Sequence, residues 1–376
     1  GNYNNYDDGF RGGGRGGRRG GRYTNWGRGN PKNNTWQRRE EEKLPADISP
    51  LTELTGHTGK VTTIQYESQT QQLFTGSADG SVRLWDTVSG QCKHTLTVGG
   101  EVDSMLISGG FLFVGLHKAG EGIIKVWNMS TNVDQLLTGH KGAVLCMCVA
   151  STSLVSGGQD NTIRVWQYNQ AAGIFSSQAI ITKDEGGHTG AVLALTVVGN
   201  NMFSSDRLGN ILVWDLGQGK AVQRIAAAHG DQPVMQLLAY DNYLFSAGLD
   251  GLIKAWAVME PSQQSPGFVV RPDPELVFDK DEPNASASQP QDRRRRPTPG
   301  IIAMQGTTDA AGMAVLMVVY NMESVVRLIE LPSLNSRGCL APASDTRALG
   351  SVPGLVMMTG DGTGKVRIFK WNGPAA

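Results

Sequence analysis

One pattern governs most of this chain and leaves it few ways to fold. "GHTGKV" at 56–61 leads into "LFTGSADGSVRLWD" at 73–86, and "GHKGAV" at 139–144 leads into "LVSGGQDNTIRVWQ" at 154–167. "GHTGAV" at 187–192 precedes "MFSSDRLGNILVWD" at 202–215, and "AHGDQPV" at 228–234 precedes "LFSAGLDGLIKAWA" at 244–257. A weaker copy ends at Trp127, and two more put Ile329 and Phe369 where the tryptophan would stand. Apart from one long step between Trp256 and Ile329, successive copies are about 40–45 residues apart. Runs such as "SVRLW" and "TIRVW" are β-branched or aromatic and bounded by Gly, Asp and Asn, which reads as short strands. A small sheet cannot bury both faces alone, and stacking such sheets around an axis solves that problem.

The seven copies resemble a seven-bladed WD-repeat β-propeller, an all-β fold covering about residues 51–372. The resemblance implies that "LTEL" at 51–54 supplies the outer strand of the last blade and closes the ring. Polar residues recur at fixed offsets: His57, Thr75, Asp79 and Trp85; His140, Ser156, Asp160 and Trp166; His229, Ser246, Asp250 and Trp256. A His/Ser/Asp set is also the inventory of nucleophilic catalysis. Three complete sets in one chain speak against a unique active site. The resemblance makes each foursome a structural hydrogen-bond chain inside its blade. The fourth copy has Leu208 where Asp is expected, and the second has Glu121 there and no leading His. The sixth and seventh have neither His nor Trp, so those blades are expected to lean on apolar packing.

The long step contains residues 259–300, where eight of the sixteen prolines fall between 261 and 299. Pro, Ser, Gln and charge in this density predict a disordered surface insertion between blades five and six. Its "RRRR" at 293–296 reads as a nuclear-import patch, a second phosphate contact, or plain solvated charge.

Charge is segregated along the chain. Residues 1–39 hold eight Arg and one Lys against Asp7 and Asp8, a net of +7, so the remaining 25 basic and 32 acidic residues carry −7. "RGGGRGGRRGGRY" at 11–23 is the centre of this basic segment. Its glycines predict a disordered tail over 1–45, because they give no side chain to bury. Arginine takes phosphates bidentately or stacks on bases, and aromatic rings offer faces to unpaired bases. Arg11, Arg15, Arg18, Arg19, Arg22, Tyr23, Trp26 and Arg28 are therefore the candidate RNA-binding residues. A solubilising linker, or an arm that binds acidic proteins, is the plainer use of the same composition.

Other classes find no support in the residues. There is no G-x-S-x-G elbow, P-loop or H-E-x-x-H, and the literal G-x-G-x-x-G at Gly12, Gly14 and Gly17 lacks a preceding strand. The longest apolar run, "MAVLMVVY" at 313–320, is too short for a membrane helix, and "GNYNNYDDGF" is no signal peptide. The chain opens without Met, so further upstream sequence is an expectation. Cys92, Cys146, Cys148 and Cys339 do not form zinc-finger spacings, which predicts free thiols and no metal.

A narrower resemblance rests on "TGHTGKVTTIQY", "GGEVDSMLISGGFLFVGL", "IIKVWNMSTNVDQLLTGHKGAVLCMCV" and "GDGTGKVRIFKW". These segments are similar to plant and algal proteins that join CCCH zinc fingers to a WD-repeat propeller. No Cys precedes Cys92, so zinc would enter only through a finger upstream of this sequence. The expected protein is a non-enzymatic, RNA-associated scaffold, nuclear or nucleo-cytoplasmic. Its tail binds RNA, and its monomeric propeller docks proteins rather than membranes. The alternative is a substrate receptor of a cullin-type ubiquitin ligase. That role commonly places Arg two residues after a W-D pair, where this chain has Val88 and Gly217.

Overall fold

The computed structural model describes residues 44–259, 270–280, 299–341 and 345–373. Each copy of the repeat folds into one four-stranded antiparallel sheet, giving seven blades. Blade one, for example, runs through Val61–Glu67, Gln72–Ser77, Ser81–Asp86 and Cys92–Thr97. Blades two to six follow in chain order over 101–141, 144–181, 192–225, 234–279 and 301–340. Blade seven takes three strands from Thr346–Val352, Val356–Asp361 and Val366–Trp371. Its fourth is Ile48–Leu54, which pairs antiparallel with Val366–Trp371. The one helical turn among the described residues is Lys183–Glu185.

The core sits between the blades rather than at one centre. Seven apolar clusters fill the seven interfaces, as where Leu73 and Trp85 of blade one meet Met358 and Ile368 of blade seven. Close approach at these interfaces explains one recurring glycine. A Cβ on Gly76, Gly157 or Gly360 would lie 2.7, 2.6 or 2.5 Å from the buried Val102, Val192 or Val61 of the next blade. Contacts that short are not tolerated, so the second strand carries glycine where the neighbour leans in.

Ring closure is reinforced by charge. Arg337 of blade six donates to Asp309 and to Asp47, both at 2.6 Å, and its guanidinium lies over the Trp371 ring. Arg367 and Lys365 hold Glu53 of the closing strand.

The long insertion differs from its expectation. Residues 260–269 and 281–298 lie outside the described residues. Between them, however, Leu276–Asp279 pairs with Leu252–Ala255 as the fourth strand of blade five, and Val270 bridges to Val258. Phe278 and Val270 are buried in the core. The third strand needs an outer partner, and "ELVFD" supplies one inside a Pro-rich stretch whose average composition conceals it. Residues 270–280 are therefore part of the propeller.

Candidate functional site

Four elements converge on each repeated polar set: the segment leading into the blade (for His140 the end of blade two's outer strand), the second strand, the turn after it, and the third strand. In blade three, Trp166 Nε1 donates to Ser156 Oγ at 2.9 Å, and Ser156 Oγ lies 2.8 Å from His140 Nε2. His140 Nδ1 is 3.0 Å from Asp160 Oδ1. Blade one repeats this through Trp85, Thr75, His57 and Asp79 at 2.7, 2.8 and 3.0 Å. Blade five does so through Trp256, Ser246, His229 and Asp250 at 2.9, 2.7 and 2.8 Å.

The donor inventory assigns the protons. Indole N–H can only donate, so the hydroxyl accepts from Trp and passes its own hydrogen to histidine Nε2. Nε2 is then bare, and the neutral ring donates through Nδ1 to the carboxylate. Burial first, with the Arg83 charge adding to it, holds the His57 pKa below its ordinary value. Burial pushes the Asp79 carboxyl up, but donation from Ser81, the Thr58 N–H and His57 outweighs it and brings it to about 2. Asp160 is likewise held below the usual range against its burial, chiefly by His140 and the Lys141 N–H.

The order hydroxyl–imidazole–carboxylate is that of a nucleophile, its base and the base's orienter. Access separates the two cases. Thr75, Ser156 and Ser246 are wholly buried, and each hydroxyl already accepts from an indole. No substrate atom can reach them in this arrangement.

A further set was hidden by its spacing. In blade four, Trp214 Nε1 donates to Ser204 Oγ at 2.8 Å, Ser204 Oγ lies 2.7 Å from His188 Nε2, and His188 Nδ1 lies 2.9 Å from Asp206. Leu208 occupies the turn position where Asp was expected, but the carboxylate has moved two residues back, to the end of the second strand. Asn210 donates to both Asp206 oxygens. The signal that could have found it is "SSDRLGN", with Asp and Asn bracketing the turn.

The other blades replace the set. Val114 in blade two and Val318 in blade six occupy the register of the hydroxyl, opposite Lys125 and Arg327. Blade seven keeps Thr359 there and places Asp361 where blade four has Asp206, with Arg367 as its partner at 2.8 Å. Blade two instead pairs Asp103 with His117 at 2.7 Å, and burial pushes the Asp103 carboxyl up to about 6.

Cys146 and Cys148 lie on one strand of blade three, with the Cys146 sulfur 3.7 Å from the Val192 carbonyl of the next blade. No group of three or more His, Cys, Asp or Glu side chains among the described residues is placed to hold a metal ion. The candidate RNA-binding residues Arg11 to Arg28, and Arg293 to Arg296, lie outside the described residues.

Comparison with known proteins agrees with this geometry. The WD domain, G-beta repeat family matches residues 48–86 and 132–167. Zinc finger CCCH domain-containing protein 17 of rice (Oryza sativa subsp. japonica) is 31% identical over 86% of this chain and 66% of its own length. Protein 63 of the same description from Arabidopsis thaliana is 34% identical over 85% of this chain and 66% of its length. Protein 48 from Arabidopsis is 30% identical over 86% of this chain and 67% of its length. The chain thus spans just under two thirds of the first two relatives.

Proposed function

The chain belongs to the WD-repeat propeller proteins represented by these plant CCCH zinc-finger proteins, and on that premise we propose that it is an RNA-associated scaffold. WD-repeat propellers present protein-interaction surfaces. In this reading RNA is bound by the segment carrying Arg11, Arg15, Arg18, Arg19, Arg22, Tyr23, Trp26 and Arg28, while a monomeric propeller docks proteins in the nucleus. The hydrogen-bond sets are structural, as their burial supports.

The observation that carries the reading is charge segregation. Residues 1–39 carry +7 and the rest carries −7, so the field of the body repels phosphate at long range. Arginines at 11–28 have planar, bidentate geometry for phosphates, and the interleaved rings suit unpaired bases.

The test is a salt titration of single-stranded RNA binding. Five or six phosphate contacts give a slope of log K against log salt near about −4. Removing residues 1–43 is expected to abolish both affinity and slope. Changing the arginines to lysines keeps most of the slope but weakens binding, because the planar fork and its stacking are lost. A propeller lacking this segment that binds RNA as tightly as the full chain sinks the proposal.

A further inference from the structure

The five closest ring pairs among the described residues all fall at one place, the interface of blades two and three. Phe111 is 5.1 Å from Tyr168 and 5.3 Å from Phe175, centroid to centroid, and Tyr168 is 4.9 Å from Phe175. Phe113 completes the cluster at 5.4 Å from Phe175 and 5.9 Å from Phe111. Phe113 stands where blades one, four and five also carry phenylalanine, at Phe74, Phe203 and Phe245, so it belongs to the repeat. Phe111 is not fixed by it: its register counterparts in blades one, three and four are Gln72, Ser153 and Asn201, and among these blades only blade five also carries a ring there, at Tyr243. The packing of a blade does not require a ring there.

These rings wall an open cavity of about 510 Å³. Phe113 and Phe175 are buried, whereas Phe111 and Tyr168 keep part of each ring in solvent. The polar part of its lining is uncharged and includes Ser108, exposed Ser151 and exposed Gln170. No Asp, Glu, Lys, Arg or His lines it. Such a site suits a neutral, planar group with one polar edge and rejects a bare phosphate or ammonium.

Topology adds the second observation. The cavity opens between the turns that join first to second strands, at 109–110 and 151–152, and the turn that follows the third strand, at 170–173. Those turns share one face of the ring. Ile48 enters blade seven opposite Trp371, at the end of a third strand, and so on that same face. The chain therefore enters blade seven, at Ile48, on the face where the cavity opens.

We propose that this cavity takes one unpaired nucleobase of single-stranded RNA, stacked on Tyr168 with Phe111, inclined at 62° to that ring, against its edge, and with Ser151 and Gln170 meeting its polar edge. The proposal rests on the RNA-binding reading above. A base is neutral and planar, and every base has a face to stack, so the contact needs no sequence readout. The acidic body gives the pocket little reach for RNA by itself. RNA already held by the arginines presents its bases at high effective concentration, which converts a weak pocket into an additional contact.

The test uses the full chain and a short single-stranded RNA carrying 4-thiouridine. Photocrosslinking followed by peptide mapping is expected to place adducts on the peptides containing Phe111 and Tyr168, besides those within 1–43. Tyr168→Leu should lose the propeller adduct and weaken binding about tenfold with the salt slope unchanged, since stacking releases no counterions. Gln170→Ala, on an exposed side chain, should weaken binding two- to threefold, roughly one hydrogen bond's worth, and it decides the matter if Tyr168→Leu fails to fold. Adducts confined to 1–43, with both variants binding like wild type, overturn the pocket and leave the RNA-binding reading standing. Wild-type chain that binds no RNA overturns both. An uncharged tryptophan-bearing peptide that saturates the cavity while RNA leaves it unlabelled would make it a protein-docking site and also overturn the proposal.

Discussion

Blades three and six reach the same sheet by opposite chemistry. Blade three threads Trp166, Ser156, His140 and Asp160 on a continuous run of hydrogen bonds through its interior. Blade six buries all seven residues of Ala314–Tyr320, and Val318 lies where the hydroxyl would be. Directional bonds fix where the turn and the incoming connection must sit, but every member has to be satisfied. Apolar filling tolerates more variation in the turn and leaves no orphan donors. Blade six anchors its turn by a partly buried ion pair instead, with Glu323 held by Lys280 and, at 2.8 Å, by Arg327. Polar order and apolar packing are thus alternative solutions to one positional problem.

That contrast can be broken by exchanging the two chemistries. Ser156→Val is expected to have the largest effect, because it leaves Trp166 Nε1 and His140 Nε2 buried without partners. A loss of about 3 kcal/mol in urea unfolding is expected, from ~1–3 kcal/mol per orphaned group. A neutral result would mean that the polar run does not hold the blade. Val318→Thr, the reverse exchange, should cost about 2 kcal/mol by the same measurement, because it buries a hydroxyl among apolar neighbours.

Acid should separate the two blades next. Asp79 and Asp160 are held below the ordinary carboxylate range, so the stability they bring is present above about pH 4. It is lost as pH falls through their folded values, about 2 for Asp79. His57 acts in the same direction, since its lowered pKa makes the folded state resist protonation. Amide exchange protection at 153–158 should therefore fall on acidification by more than that at 315–319, where Glu323, also held below its ordinary range against its burial by Arg327 and Lys280, ties only the turn. Equal losses in both strands would remove the proposed link.

The smallest effect is expected in blade two, and its sign is opposite. Burial raises Asp103 to about 6, so its contribution is favourable below about pH 4 and is lost as pH rises through 6. Asp103→Asn should stabilise the chain by about 1 kcal/mol at pH 8, with the gain fading toward pH 4. A melting-temperature series across that range would show it, and a pH-independent difference would count against the assignment.

The sequence announced the blades because each one repeats strand-forming runs and turn residues at a fixed period. Features that depend on register rather than spacing were not legible. Asp206 performs the task of Asp79 from two positions earlier, a substitution visible only once Ser204 and His188 are placed beside it. Leu276–Asp279 was concealed by the prolines around it. Two glutamines escaped notice altogether. Gln135 of blade two exchanges hydrogen bonds with the Phe175 backbone of blade three at 2.6 and 2.8 Å, and Gln223 of blade four does the same with Val270 of blade five at 2.6 and 3.0 Å. A lone glutamine on an exposed strand carries no signal of a partner some 40 residues away. Phe111 and Tyr168 read as ordinary strand aromatics until the fold brings them together.

The closing strand imposes an order of events on biosynthesis. Ile48–Leu54 leaves the ribosome roughly 300 residues before Val366–Trp371, with which it must pair. At about 5–20 residues per second it waits on the order of 15–60 s with its edge unmatched. Six blades can form during that interval while the ring stays open. Glu53, with Pro50, Ser49 and Thr52 beside it, keeps that waiting strand soluble, much as charged residues and proline protect exposed strand edges elsewhere. Completion is therefore gated by the synthesis of Val366–Trp371, and a chain cut short before Val366 would leave its first strand without a berth.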